Sequence, residues 1–201
     1  MARSVLEDLQ ARLSATRQEI ESEFETELAE QRERFRYTMH RGKVRFERDI
    51  RELQRRYRVG LVKYIVGAPL GFILSAPLIY GLIVPLVFLD AAVTLYQHVC
   101  FRIYGIPLVR RRDHIIVDRQ HLAYLNGIEK LNCIYCGYAN GLIAYVREIA
   151  GRTEQYWCPI KHARRAADPH DRVEAFVDYG DAEAYRENLR EIRANLGDRT
   201  R

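Results

Sequence analysis

Three cysteines and one histidine carry the clearest chemical pattern in the chain. Cys133, Cys136, Cys158 and His162 read as C-x2-C-x21-C-x3-H. Two thiolates at i, i+3 can turn toward one ion from a tight turn or a helix end. Cys158 and His162, at i, i+4, would share one face of a helical turn. Between the pairs, residues 139–150 form an apolar helical stretch ended by Gly151, after which the chain is expected to return and bring the pairs together. Three thiolates and an imidazole complete a closed tetrahedral set, the usual donor arrangement for structural zinc. The same thiolates suit iron, and with iron the site would pass electrons instead of merely holding the fold.

Other chemistry is poorly supported. No strand–helix pattern of a thiol exchanger surrounds the CxxC. No Glu-x-x-His occurs, so a carboxylate-bridged di-iron centre is not expected. A phosphate-binding glycine loop, an HExxH motif and a Ser/His/Asp ordering are all missing from the sequence, and no enzymatic reaction is predicted.

One more group stands out because of where it sits. Lys63 and Asp90 bracket 26 residues without a charged side chain, and Asp90 alone interrupts the run up to Arg102. A soluble domain rarely keeps so long an uncharged run, so residues 61–105 are read as a membrane segment. Its length allows two short spans, near 62–79 and 83–103, with a turn at Tyr80-Gly81. Pro69, Pro77 and Pro85 punctuate the run, and the turn carries no charge. A re-entrant wedge that never reaches the far side therefore competes with a crossing hairpin. A carboxylate inside a span costs several kcal/mol unless it is paired or protonated. Asp90 is read either as hydrogen-bonded to a neighbouring helix or as a relay in a transport or channel subunit. Arg55, Arg56, Arg58 and Lys63 flank one end and Arg110, Arg111 and Arg112 the other. This basic collar should meet anionic lipid head groups, at about 1 kcal/mol per residue. Positive flanks on both sides place both termini in the cytoplasm, most simply at a bacterial inner membrane.

The elements that must position these groups are helical. Residues 1–60 lack proline and repeat apolar positions every eleven residues: Leu13, Phe24, Phe35, Phe46 and Tyr57 form one row, and Leu28, Met39, Ile50 and Leu61 a second. Ile20, Gln31, Gly42 and Leu53 form a half-polar third. Eleven residues in three turns keep a stripe nearly straight, which predicts one long helix over 1–58 that self-associates as a coiled coil. Residues 1–31 carry a net charge of −5 and residues 32–58 a net charge of +7. The basic half interleaves with Glu47, Asp49 and Glu52, and no nucleic-acid-binding motif accompanies it, so nucleic acid is not expected as a partner. Residues 164–201 begin with a polar turn and continue as an amphipathic helix through Tyr185, Leu189, Ile192 and Leu196, ending near Gly197.

The expected protein is mainly α-helical: a coiled-coil arm (1–60), a membrane hairpin (61–105), a small cytoplasmic helical Cys/His domain (106–163) and a C-terminal helix (164–201). The function that fits is a homo-oligomeric integral-membrane scaffold or accessory subunit held together by a structural metal, with an unidentified protein partner. The alternatives are a membrane-bound iron–thiolate redox protein and a transport subunit using Asp90.

Overall fold

A computed structural model describes residues 2–40, 43–164 and 166–196. The described residues are mainly helical with one two-stranded sheet. The chain divides into two compact units: residues up to Lys63 with Asp118–Gly127, and Tyr64–Val117 with the chain from Ile128 onward.

In the first unit, helix α1 (Ala2–Arg34) stops well short of the 58 residues expected of it. The rows at Phe35, Met39 and Phe46 leave the helix because the chain turns at Arg36, a non-glycine residue at φ 48°. Strands β1 (Tyr37–His40) and β2 (Lys43–Phe46) then pair antiparallel, Tyr37 opposite Phe46 and Met39 opposite Val44. Local chemistry explains the switch. Thr38, Val44 and the two aromatics are strand formers, and the Tyr37 and Phe46 rings pack 5.4 Å apart across the strands. The Arg36 guanidinium closes the base of the hairpin by pairing with Glu47 and with Asp49, the latter at 2.6 Å. Gly42, which joined the third apolar row, lies outside the described residues, as does Gly197. Helix α2 (Arg48–Arg56) follows, and its Gln54 Oε1 accepts from the Ala123 amide at 3.1 Å. The short helix α3 (Leu61–Val66) comes next.

The second unit also departs from the expected hairpin. Leu70–Tyr104 is one helix of 35 residues, α4, with no reversal at Tyr80-Gly81. Leu82 keeps helical dihedrals, and Pro85 removes only the hydrogen bond that its missing N–H would have made. A π-helical turn at Gln97–Phe101 precedes the end. Gly105, at φ 70°, terminates the helix in a left-handed cap, with the Ile106 amide reaching back to the Phe101 carbonyl at 2.8 Å.

From Ile106 the chain turns back along α4, and after Gly127 it runs forward again as helix α5 (Gly127–Trp157). The two long helices lie parallel. Tyr80 bonds Asn132, Tyr138 bonds Asp90 at 2.9 Å, Gln97 bonds Tyr145, and Tyr104 stacks on Tyr156 with ring centroids 5.4 Å apart. Two parallel neighbours require a return segment, and residues 106–117 supply it, called the return strand below although it is extended at both ends and makes one helical turn at Arg111–His114. Phe101, Ile106, Val109, Leu142, Tyr145, Ile149 and Leu196 form the buried core between these segments and the C-terminal helix α6 (Ala182–Ala194).

The return strand lies directly on α5 because two helix positions have no side chain. A Cβ at Gly141 would stand 2.7 Å from the Ile115 Cα and 2.8 Å from the His114 carbonyl oxygen; one at Gly137 would stand 3.0 Å from the Ile116 oxygen. These are backbone atoms, which cannot swing aside. Gly141→Ala should therefore destabilise the fold by about 1–3 kcal/mol despite alanine's better helix propensity. Gly127→Ala, where nothing lies within 4 Å, should be neutral or slightly stabilising. Denaturant unfolding in detergent reads both, and equal midpoints for the two variants would refute the close approach.

Candidate functional site

The expected metal ligands do not meet. Cys133 and Cys136 sit in the N-terminal half of α5, and Cys158 follows directly after its end. Gly151 does not break the helix as expected. At about 1.5 Å per residue, the unbroken helix holds Cys133 and Cys158 on the order of 37 Å apart. Beyond Trp157 the chain is extended, not helical. Ile160 bridges to Val177, and the Lys161 amide bonds the Val177 carbonyl at 2.8 Å. Cys158 and His162 are thus on an exposed strand-like segment instead of one helical face. Among the described residues, no three His, Cys, Asp or Glu side chains converge where a metal ion could be held. Within this fold the four donors are therefore not gathered at one point.

Asp90 has partners from three segments. Arg111, first residue of the helical turn in the return segment, contributes Nη2 at 2.6 Å and Nε at 3.3 Å; Tyr138 of α5 donates its hydroxyl at 2.9 Å; Thr94, one turn on, donates at 3.3 Å. The Arg111 guanidinium also lies 5.9 Å from the Tyr138 ring centre. Arg111 was expected in the lipid-facing collar, and its role here is to neutralise Asp90. Arg110 and Arg112 remain exposed beside it, as do Arg55, Arg56, Arg58 and Lys63 in the other unit. A shallow groove of about 620 Å³ opens next to the pair, floored by Val87, Ala91 and Leu95 and edged by Thr94 and His98. With both carboxylate oxygens occupied, Asp90 is well suited to fastening the return strand to α4.

A second fastening was not anticipated. Gln97 is 1% exposed, and its amide clasps the Val109 backbone: Val109 N–H donates to Oε1 at 3.0 Å and Nε2 donates to the Val109 carbonyl at 3.4 Å. This reproduces one rung of a β-ladder with a side chain. Its sequence signal was a glutamine within a mainly apolar helix.

The last turns of α5 anchor everything that follows. Glu148 accepts from Arg152 at 2.7 Å and from Arg172 at 2.6 Å, and both arginines are almost fully buried. Arg152 also donates to the Pro107 carbonyl, and Arg172 to Gln155 Oε1 at 2.8 Å. Gln155 in turn donates to the Ile192 carbonyl of α6 at 2.9 Å, and Arg193 to the Tyr156 carbonyl at 2.7 Å. His170 meets Glu154 at 2.8 Å. Burial pushes the Glu148 carboxyl up, but the hydrogen bonds from Arg172 and Arg152 outweigh it and hold the group below its ordinary value.

Comparison with protein families, with curated proteins and with solved structures finds no match for this chain. The site's meaning therefore rests on its own geometry.

Two outcomes follow. Because the Glu148 carboxyl is held low, the stability it contributes is present above the ordinary carboxyl range and disappears as pH falls through the depressed value. Glu148→Gln should cost about 3 kcal/mol at pH 7, since it leaves two buried guanidiniums facing one neutral amide. The deficit should shrink toward zero in acid, and a pH-independent deficit would contradict this assignment. Replacing Cys133, Cys136 and Cys158 together with serine should leave the helical circular dichroism and the melting midpoint almost unchanged. Collapse of the fold would show that the thiolates do meet around an ion.

Proposed function

We propose that this chain is a membrane-embedded scaffold or accessory protein without a catalytic centre, fixed to lipid through α4. One observation carries the reading. The inner stripe of α4 packs on α5 and the return strand, while the rest of its surface is apolar and open. Leu70, Phe72, Leu74, Leu78, Val84 and Phe88 are each about 70% exposed or more. An uncovered apolar surface of this extent is unstable in water and calls for a nonpolar partner.

Magnitudes favour acyl chains over the basic collar as the main attachment. Each Leu or Phe transferred from water to a nonpolar phase gains about 1.5–3 kcal/mol. A basic residue near an anionic surface gains about 1 kcal/mol, which salt screens. Arg110 and Arg112 then orient the protein at head groups more than they hold it there, with both termini on the cytoplasmic side. The exposed apolar residues Leu13, Ile20 and Phe24 on α1 support self-association of the arm with a second copy or with another helical protein.

Flotation on phosphatidylcholine–phosphatidylglycerol vesicles tests the anchor. The protein should float equally well in low salt and in 1 M salt (roughly a 3 Å screening length) and resist alkaline carbonate extraction. Release by salt would overturn the reading.

A further inference from the structure

We propose that Cys133 and Cys136 form a two-thiolate site for a soft monovalent metal ion, copper(I). The site goes beyond the scaffold reading and does not depend on the membrane. Of the four donors first grouped by their spacing, these two stay together. Both lie on the unbroken helix α5, Cys133 half-buried and Cys136 exposed, and both are free thiols. Three residues along an α-helix turn the second side chain about 60° from the first and set it about 4.5 Å further on. The two Cβ atoms are then about 5–6 Å apart on one face.

That separation decides between the two things a thiol pair can do. A disulfide needs its Cβ atoms about 3.5–4.5 Å apart, joined through an S–S bond of about 2.05 Å. Closing one here would draw a turn of α5 together by about 1 Å. The turn is pinned against that movement from α4. Asn132 bonds Tyr80, the Tyr135 hydroxyl donates to the Ile79 carbonyl at 2.8 Å, and Tyr138 donates to Asp90 at 2.9 Å. The Asn140 amide braces it from within, donating to the Cys136 carbonyl at 2.9 Å. A metal ion needs no such movement. Thiolate–metal bonds are about 2.3 Å long, so two in line hold their sulfurs about 4.6 Å apart, a span that suits Cβ atoms at helical spacing. Among the described residues no group of three His, Cys, Asp or Glu side chains gathers here, short of the four ligands that structural zinc takes. Soft thiolates select copper(I), for which two sulfurs in line are a complete shell. Binding releases two protons from the thiols and transfers no electron.

Copper(I) is titrated under nitrogen into the full-length chain in detergent, against bicinchoninate as a coloured competitor. One ion per chain is expected, held equally well by a Cys100→Ser/Cys158→Ser variant. Cys133→Ser and Cys136→Ser, made singly, should each weaken it by more than about 100-fold, since losing even an outer partner of a ligand costs about 10–100-fold. Helical circular dichroism confirms that each variant is folded. A count on the parent chain needs no substitution. One equivalent of phenylarsine oxide, which joins two thiols at arsenic with loss of water, should protect two of the four thiols from a thiol-specific dye. Peptide mapping should place the arsenic on Cys133 and Cys136. No copper(I) bound by the parent, or unchanged affinity in either single variant, overturns the proposal. So does loss of binding in Cys100→Ser/Cys158→Ser, which would bring a distant cysteine back into the set. A pair that oxidised glutathione closes to a Cys133–Cys136 disulfide, releasing two reduced glutathiones, and that holds no copper would reverse the geometric choice.

Discussion

The close approach of a main chain to a helix at Gly137 and Gly141 is the constraint on which the rest of the second unit depends. An extended segment without a sheet must find partners for its amides and carbonyls outside any ladder, and between two helices there is little water to help. Here it lies on glycine at one side and is held from the other by Gln97 and Asp90 of α4. Remove the glycines and the helices must separate. The Gln97 clasp would then open, and the Phe101–Leu142–Tyr145 core would lose its packing. Parallel orientation of α4 and α5 is a consequence of the same strand, since a direct turn between them would have made them antiparallel.

Charge is distributed to serve this arrangement. Asp90 is paired where α4 meets the return strand, and Glu148 stands between two buried arginines that reach the strand's beginning and the C-terminal segments. Buried ion pairs of this kind add little net stability over apolar residues, because desolvation offsets much of the attraction. They do impose a unique register, because a shift of one turn would leave a guanidinium buried without its carboxylate. Arg110 and Arg112, by contrast, are left exposed on the surface beside the Asp90 pair.

Much of this was legible in the sequence, and the failures have identifiable causes. The uncharged run 64–89 points to the apolar helix, and Tyr185, Leu189 and Ile192 lie on α6, with Leu196 just past its end. The eleven-residue rows misled because periodicity over 1–58 continued through Phe35, Met39 and Phe46, where strand formers such as Thr38 and Val44 and a turn at Arg36 prevailed. Prolines at 77 and 85 suggested a hairpin, yet each costs a helix only local hydrogen bonds when its flanking residues stay apolar and helical. The cysteine spacing needed the chain to reverse at Gly151. That glycine is instead packed against His170 and Arg172, its Cβ position 3.3 Å from the His170 ring, so it serves packing and not termination. Gly137 and Gly141 could have been recognised as a small-residue face four apart on a helix, the signal for a close neighbour.

Amide hydrogen exchange across residues 106–117 tests the central claim most directly, because its extended part, before the turn at Arg111–His114, has no ladder to protect it. If it is clasped as described, the Ile106 and Val109 amides, bonded to the Phe101 carbonyl and the Gln97 side chain, exchange as slowly as the amides around Leu142 in α5. Their neighbour Arg112, on the exposed outer side, exchanges rapidly. Uniformly fast exchange from 106 to 117 would contradict the account, since the strand would then be a loose connection and the parallel helices would be held by something else.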